Sequence, residues 1–84
     1  MNQDNTYRTS DTSLGAFLVT SQFALLYIDY SKLRFEFVFS DSDQIQQAAT
    51  NYLSGNAKVE PASLIRVNRK LLRLLRKQCQ WEED

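Results

Sequence analysis

No histidine occurs anywhere in this 84-residue chain, cysteine and proline occur once each, and glycine occurs twice. Each shortage removes a kind of chemistry. Without histidine there is no Ser-His-Asp constellation, no imidazole general base and no imidazole metal ligand. The lone thiol, Cys79, can build neither an intramolecular disulfide nor a zinc site, and it suits a reducing compartment. No base is placed to activate it, so it is expected to be an inert residue near a helix end. Gly15 and Gly55 are too far apart to form a phosphate-cradling GxxxxGK[ST] or GxGxxG loop. The longest apolar run, Phe23 to Ile28, is far shorter than the ~20 residues a membrane-spanning helix needs. Met1 to Thr6 lacks the basic and apolar segments of a signal peptide. These shortages predict a soluble cytoplasmic protein with no cofactor, no metal and no membrane partner.

What is present suffices for one small domain. The chain is 43% hydrophobic, enough for a modest core. Its net charge of zero conceals an asymmetry. Residues 1–62 carry seven acids against four bases, whereas residues 63–84 carry six bases against three acids. The two parts can attract one another or present opposite faces.

Residues 1–6 are polar and expected to fray. Tyr7 to Thr9 suits a short strand or extended lead-in. Ser10-Asp11-Thr12-Ser13 offers capping side chains ahead of a short helix over Leu14 to Val19, which Gly15 weakens. Phe23 to Asp29 and Leu33 to Phe39 carry the clearest strand signal. The second run alternates, with Leu33, Phe35, Phe37 and Phe39 on one side and Arg34, Glu36 and Val38 on the other. A turn of two to four residues at Tyr30-Ser31-Lys32 makes the pair an antiparallel hairpin. Ser40 to Asp43 has capping-box spacing before a helix through Leu53, and Gly55 suits the position just past its end. Pro61 suits the first turn of a last helix reaching about Gln80, followed by an acidic tail over 81–84. The predicted architecture is α+β: a small antiparallel sheet built on a central hairpin, three helices on one face, order (β)-α-β-β-α-α, in one domain over 7–80.

Three clusters invite a chemical reading. Asp41-Ser42-Asp43 lacks the glycine and distal glutamate of an EF-hand, and helix capping accounts for it better. Asp29 and Glu36 would have to meet in a cleft across the hairpin to act as a catalytic pair; the chain is read instead as non-enzymatic. Six of the ten aromatics lie between Phe23 and Phe39. A small core needs those phenylalanines, so packing is favoured over base stacking, and Tyr27 and Tyr30 are better suited to a surface.

The leading candidate is the last helix. Six of the ten bases, Arg66, Arg69, Lys70, Arg73, Arg76 and Lys77, fall within twelve positions. At 100° per residue from Leu64 they occupy an arc of about 120° to 240° with no acid among them. Leu64, Ile65, Val67, Leu71, Leu72, Leu74 and Leu75 fill the opposite arc, wide enough to wall a core and to leave leucines over. A row of arginines and lysines can track the phosphates of DNA or RNA without reading sequence. It can equally be a solvated face, or one neutralised by the acidic first two-thirds of the chain. The alternative function is a protein-interaction module or homodimer that uses the hairpin edge or the leucine face of the helix.

Tyr7-Arg8-Thr9-Ser10-Asp11, Leu14-Gly15-Ala16-Phe17-Leu18, Ile28-Asp29, Arg34-Phe35-Glu36-Phe37, Tyr52-Leu53-Ser54-Gly55 and Val59-Glu60-Pro61 together resemble a small domain family of unknown function. That family occurs in bacterial, cyanobacterial and phage or mobile-element sequences. The resemblance spans about residues 7–77 and brings no catalytic or binding residues with it. Its mobile-element setting associates it with nucleic acid.

Overall fold

In the computed structural model, residues 5–81 are described. The element order is β1 (Thr6–Thr9), α1 (Thr12–Thr20), β2 (Leu25–Asp29), β3 (Glu36–Ser40), α2 (Asp43–Leu53) and α3 (Pro61–Lys77). This is the α+β fold and order that the sequence predicts. The sheet is antiparallel with β3 in the centre, order β1-β3-β2. Of the segment expected to fray, residues 1–4 lie outside the described residues, and Thr6 already belongs to β1. Among the described residues no helix is long and apolar enough to cross a membrane.

Strand parity sorts the sheet into two faces. Phe37 and Phe39 of β3, with Tyr7 of β1 and Leu25 and Ile28 of β2, point into the core. Arg8, Tyr27, Asp29, Glu36 and Val38 share the other face. Val38 is nonetheless fully buried, because its register partners on either side, Arg8 and Tyr27, cover it.

Leu33 does not join the inward row. It is fully exposed, and the strand begins three residues later, at Glu36. The cause is local: the Asp29 carboxylate accepts from the Ser31 N–H at 2.9 Å and the Ser31 hydroxyl at 2.6 Å. That Asx turn takes the chain off β2 and lengthens the connection to 30–35.

Asp11 caps α1, accepting from the Ser13 and Leu14 N–H groups. The cap of α2 is Ser42, not Ser40, which the ladder holds opposite Thr6. Glu60 caps α3, accepting from the Ala62 and Ser63 N–H groups, with Pro61 next in line. All three helices end with the same paired return bonds, closed by a residue with positive φ. These are Gln22 (φ 80°), Gly55 (φ 82°) and Gln78 (φ 54°). The return bonds are Phe23 N–H to Leu18 O, Asn56 N–H to Asn51 O and Cys79 N–H to Leu74 O. Helix α3 therefore stops at Lys77 rather than near Gln80.

Helix α1 is the centre of the core. Five consecutive residues, Leu14 to Leu18, are buried, since α1 meets β1, α2 and α3. Gly15 sets its distance from the sheet: a Cβ there would lie 2.9 Å from the Phe37 ring. The glycine that weakens this helix in isolation is what lets it seat. On the far side the Phe17 ring stacks on Tyr52 of α2 at 4.7 Å. Leu71 of α3 is fully buried, and Leu64, Val67, Leu74 and Leu75 pack on the same cluster. Ile65 and Leu72, expected in the apolar arc, are left 51% and 43% exposed.

Overpacking a dense core costs about 1–3 kcal/mol, more than the ~1 kcal/mol that alanine gains over glycine in helix propensity. Gly15→Ala is therefore expected to lower the free energy of urea unfolding by about 1–2 kcal/mol; an unchanged or raised value would mean that the Phe37 ring gives way. Gln22→Gly relieves the left-handed backbone at the end of α1. It should raise stability by about 0.5–1 kcal/mol, the strain relieved less the added unfolded-state entropy, and a loss of stability in the same titration would refute the assignment.

Candidate nucleic-acid interface

Helix α3 presents its six bases away from the core, as the wheel predicts, but not all alike. Arg66, Arg69, Arg73, Arg76 and Lys77 are exposed. Lys70 is half-buried, its ammonium 4.2 Å from the centre of the Trp81 ring. Trp81 packs against the core, and of the expected acidic tail, residues 82–84 lie outside the described residues. Arg66 donates to the Ser63 hydroxyl at 3.2 Å. The five exposed cations have no carboxylate within ion-pair distance among the described residues.

The acids are occupied elsewhere. On the uncovered face of the sheet Arg8 reaches Asp29 at 3.0 Å, Glu36 at 3.2 Å and the Tyr27 hydroxyl at 3.2 Å, while Lys32 meets Glu36 at 3.2 Å. Asp29 and Glu36 do face each other across the hairpin, as register partners. They do so on an open face with a guanidinium between them. Hydrogen bonds from the Ser31 hydroxyl and N–H, and then from Arg8, hold the Asp29 carboxyl down at about 2. Lys32 and then Arg8 lower that of Glu36. Glu60 is lowered by its bonds from Ser63 and Ala62 at the start of α3. Among the described residues no group of three or more His, Cys, Asp or Glu side chains gathers.

The arginines rim an open groove of about 690 Å³ along the N-terminal half of α3, lined by Ala62, Ile65, Arg66, Arg69, Lys70 and Arg73. Arg76 and Lys77 extend the basic surface beyond it. From Arg66 to Lys77 the strip runs about 16 Å at 1.5 Å per residue. The sequence places Ile65 in the apolar arc and gives Ala62 no role. The available signal was the width of the apolar arc, which exceeds what one helix buries against a small core.

The C-terminal turn is tied down. The Gln80 side-chain amide accepts from the Ile28 N–H at 2.6 Å and donates to the Ile28 carbonyl at 2.8 Å. It thus pairs with edge strand β2 as a neighbouring strand's peptide would. The Tyr30 hydroxyl lies 3.1 Å from the Leu74 carbonyl and 2.6 Å from that of Cys79. Burial, and then the nearby Cys79, raise the Tyr30 phenol. Of the two tyrosines expected at the surface, Tyr27 is exposed and Tyr30 is this half-buried clamp. Cys79 itself is exposed.

Fold and surface together define a small α+β domain with an outward-facing basic helix. The chain belongs to the family described as a domain of unknown function (DUF5659), which matches residues 4–76. No curated protein and no solved structure matches it.

The carboxylates on the sheet give the fold an acid limit. Both titrate lower when folded than the value near 4 of an unfolded carboxyl. Their ionised forms therefore stabilise the fold above that value, and the support is lost as pH falls from about 4 toward 2. Arg8→Met leaves the facing pair without its shared guanidinium. It is expected to lower Tm by several degrees at about pH 7, and by much less at about pH 2, where the facing carboxyls take up protons. An equal deficit at both pH values would mean that Arg8 acts only by covering Val38.

Proposed function

We propose that this protein is a small non-enzymatic binding domain whose α3 contacts nucleic-acid backbone through Arg66, Arg69, Arg73, Arg76 and Lys77, with Lys70 steadied on Trp81. The observation that carries the reading is the contrast in pairing. Arg8 and Lys32 are matched with carboxylates on the sheet, whereas among the described residues none of the five exposed cations of α3 forms an ion pair, and only Arg66 has a carboxylate, Glu60, close enough to act on it. Unpaired guanidinium groups along one helix are suited to phosphate oxygens, which they bind in bidentate fashion. The resemblance to mobile-element sequences points the same way by association.

A protein partner or a second copy is the other reading, favoured by Leu26 and Leu33, which stand exposed at 51% and fully on the hairpin. A stable dimer in solution that buries the hairpin would support it.

Binding through phosphates releases counterions, so the affinity should fall with a log–log salt slope of about −0.7 to −0.9 per contact, roughly −3 to −4.5 for four to five contacts. Reversing three charges together, R69E/R73E/R76E, should reduce affinity at about 50 mM salt by roughly 100-fold or more. Fluorescence anisotropy with labelled oligonucleotides measures both. Salt-independent binding, or none at that salt concentration, sinks the proposal.

A further inference from the structure

We infer that the groove on α3 takes unpaired nucleotides in preference to duplex, an inference that rests on the backbone-binding reading above. A surface that contacts only phosphates needs cations and gains nothing from exposed aliphatic carbon. Here Ile65, 51% exposed, and Ala62 line the same groove as Arg66, Arg69, Lys70 and Arg73, with Ile65 at the edge of the basic arc. The inner edge of Ile65 borders a small cleft with Ser13, Ala16, Tyr52, Leu64 and Asn68, and its outer part lines the groove.

The groove is shallow and open, walled by side chains from one face of α3 alone, and beside its cations it offers the apolar surface of Ala62 and Ile65. In a duplex the base faces are stacked inside, and only sugar and phosphate reach a protein helix from the backbone side. In a single strand each base is free to turn away from its phosphate. A base can then lie over the Ile65 side chain while the flanking phosphates meet Arg66, Arg69 and Arg73. Burying the apolar face of a base on an aliphatic side chain adds affinity that a duplex cannot collect.

The strip also continues past the groove. Arg73 closes the groove, and Arg76 and Lys77 follow within about 6 Å of helix axis. A strand that leaves a base in the groove therefore keeps phosphate contacts toward the C-terminal end of α3.

The test compares a labelled 12-nucleotide single strand, as DNA and as RNA, with the corresponding duplex at about 100 mM salt, for the full chain and for Ile65→Ser. This substitution leaves the charge unchanged. The single strands are expected to bind at least about ten-fold more tightly than the duplexes. Ile65→Ser should erase most of that difference while leaving duplex affinity within about two-fold. Equal or tighter duplex binding, or an equal loss on both forms in Ile65→Ser, overturns this inference and leaves backbone binding standing. If neither form binds even at about 50 mM salt, the backbone-binding reading fails and this inference with it.

Discussion

Helix α1 has to lie so close to the sheet that the Phe37 ring leaves no room for one further carbon at position 15. The rest of the architecture depends on that approach. A helix seated this deeply is covered on the sheet side and by α2 and α3 as well, so it can be apolar all round, and five consecutive residues are buried. Because α1 fills the space above the sheet, α3 is an outer helix. It touches the core with Leu71 and its half-buried neighbours, and its opposite face stays in water. The outward placement of the arginines thus follows from a close contact on the other side of α1. A bulkier residue at 15 would push apart the layers that aim α3.

Charge is partitioned by the same geometry. The acidic excess of residues 1–62 is large enough on paper to neutralise the last helix. In the fold it is spent locally. Asp29 and Glu36 share Arg8, with Lys32 on Glu36, and this ties all three strands together on the face that no helix covers. Asp11 and Glu60 saturate the first N–H groups of α1 and α3, where negative charge also meets the positive end of the helix dipole. Each carboxylate is bound near its own place in the sequence or across one strand. None of these four forms an ion pair with the five exposed cations of α3, and only Glu60 is near enough to one of them, Arg66, to act on it.

Patterns that depend on neighbours in sequence were legible before the structure. The hairpin, the order of elements, the capping cluster around Asp11, Pro61 in the first turn of α3, the glycine turn at Gly55 and the orientation of the basic arc all follow from period and capping chemistry. What was not legible depends on partners far along the chain or on a backbone state that the side chain does not announce. Gln22 and Gln78 close their helices in the left-handed region just as Gly55 does, but glutamine carries no signal for that conformation. Leu33 continues a perfect alternation and is nevertheless exposed, because the Asx turn at Asp29 overrides it. Arg8 looks like one polar residue in a lead-in strand, and only the register with Glu36 and Asp29 makes it a three-strand tie. Of the candidate interface, the six bases and the place of Ile65 in the apolar arc were readable, and the exposure of Ile65 was not. Burial of an amphipathic helix depends on how wide its partner is, and the sequence of α3 alone does not contain that width.

The ends of α3 decide what kind of surface it offers. At its start Glu60 holds the first turn through the Ala62 and Ser63 N–H groups. At its end the chain turns back through Gln78, and Gln80 locks onto the peptide groups of Ile28 while Tyr30 binds the last carbonyls. Trp81 then slides under Lys70. A helix anchored at both termini and along its buried side has little freedom left to lose when a ligand arrives. The cost of ordering long arginine side chains remains, at roughly 0.5–1.5 kcal/mol for each one immobilised, but the backbone that carries them is already in place. Flexible basic tails bind polyanions by charge count alone and adapt to any spacing. A basic strip on a fixed rod presents its cations at set intervals of about one helical turn, with Ile65 held at a constant position among them. Such a surface distinguishes ligands by shape as well as by charge. That is the physical basis for expecting it to separate one form of nucleic acid from another.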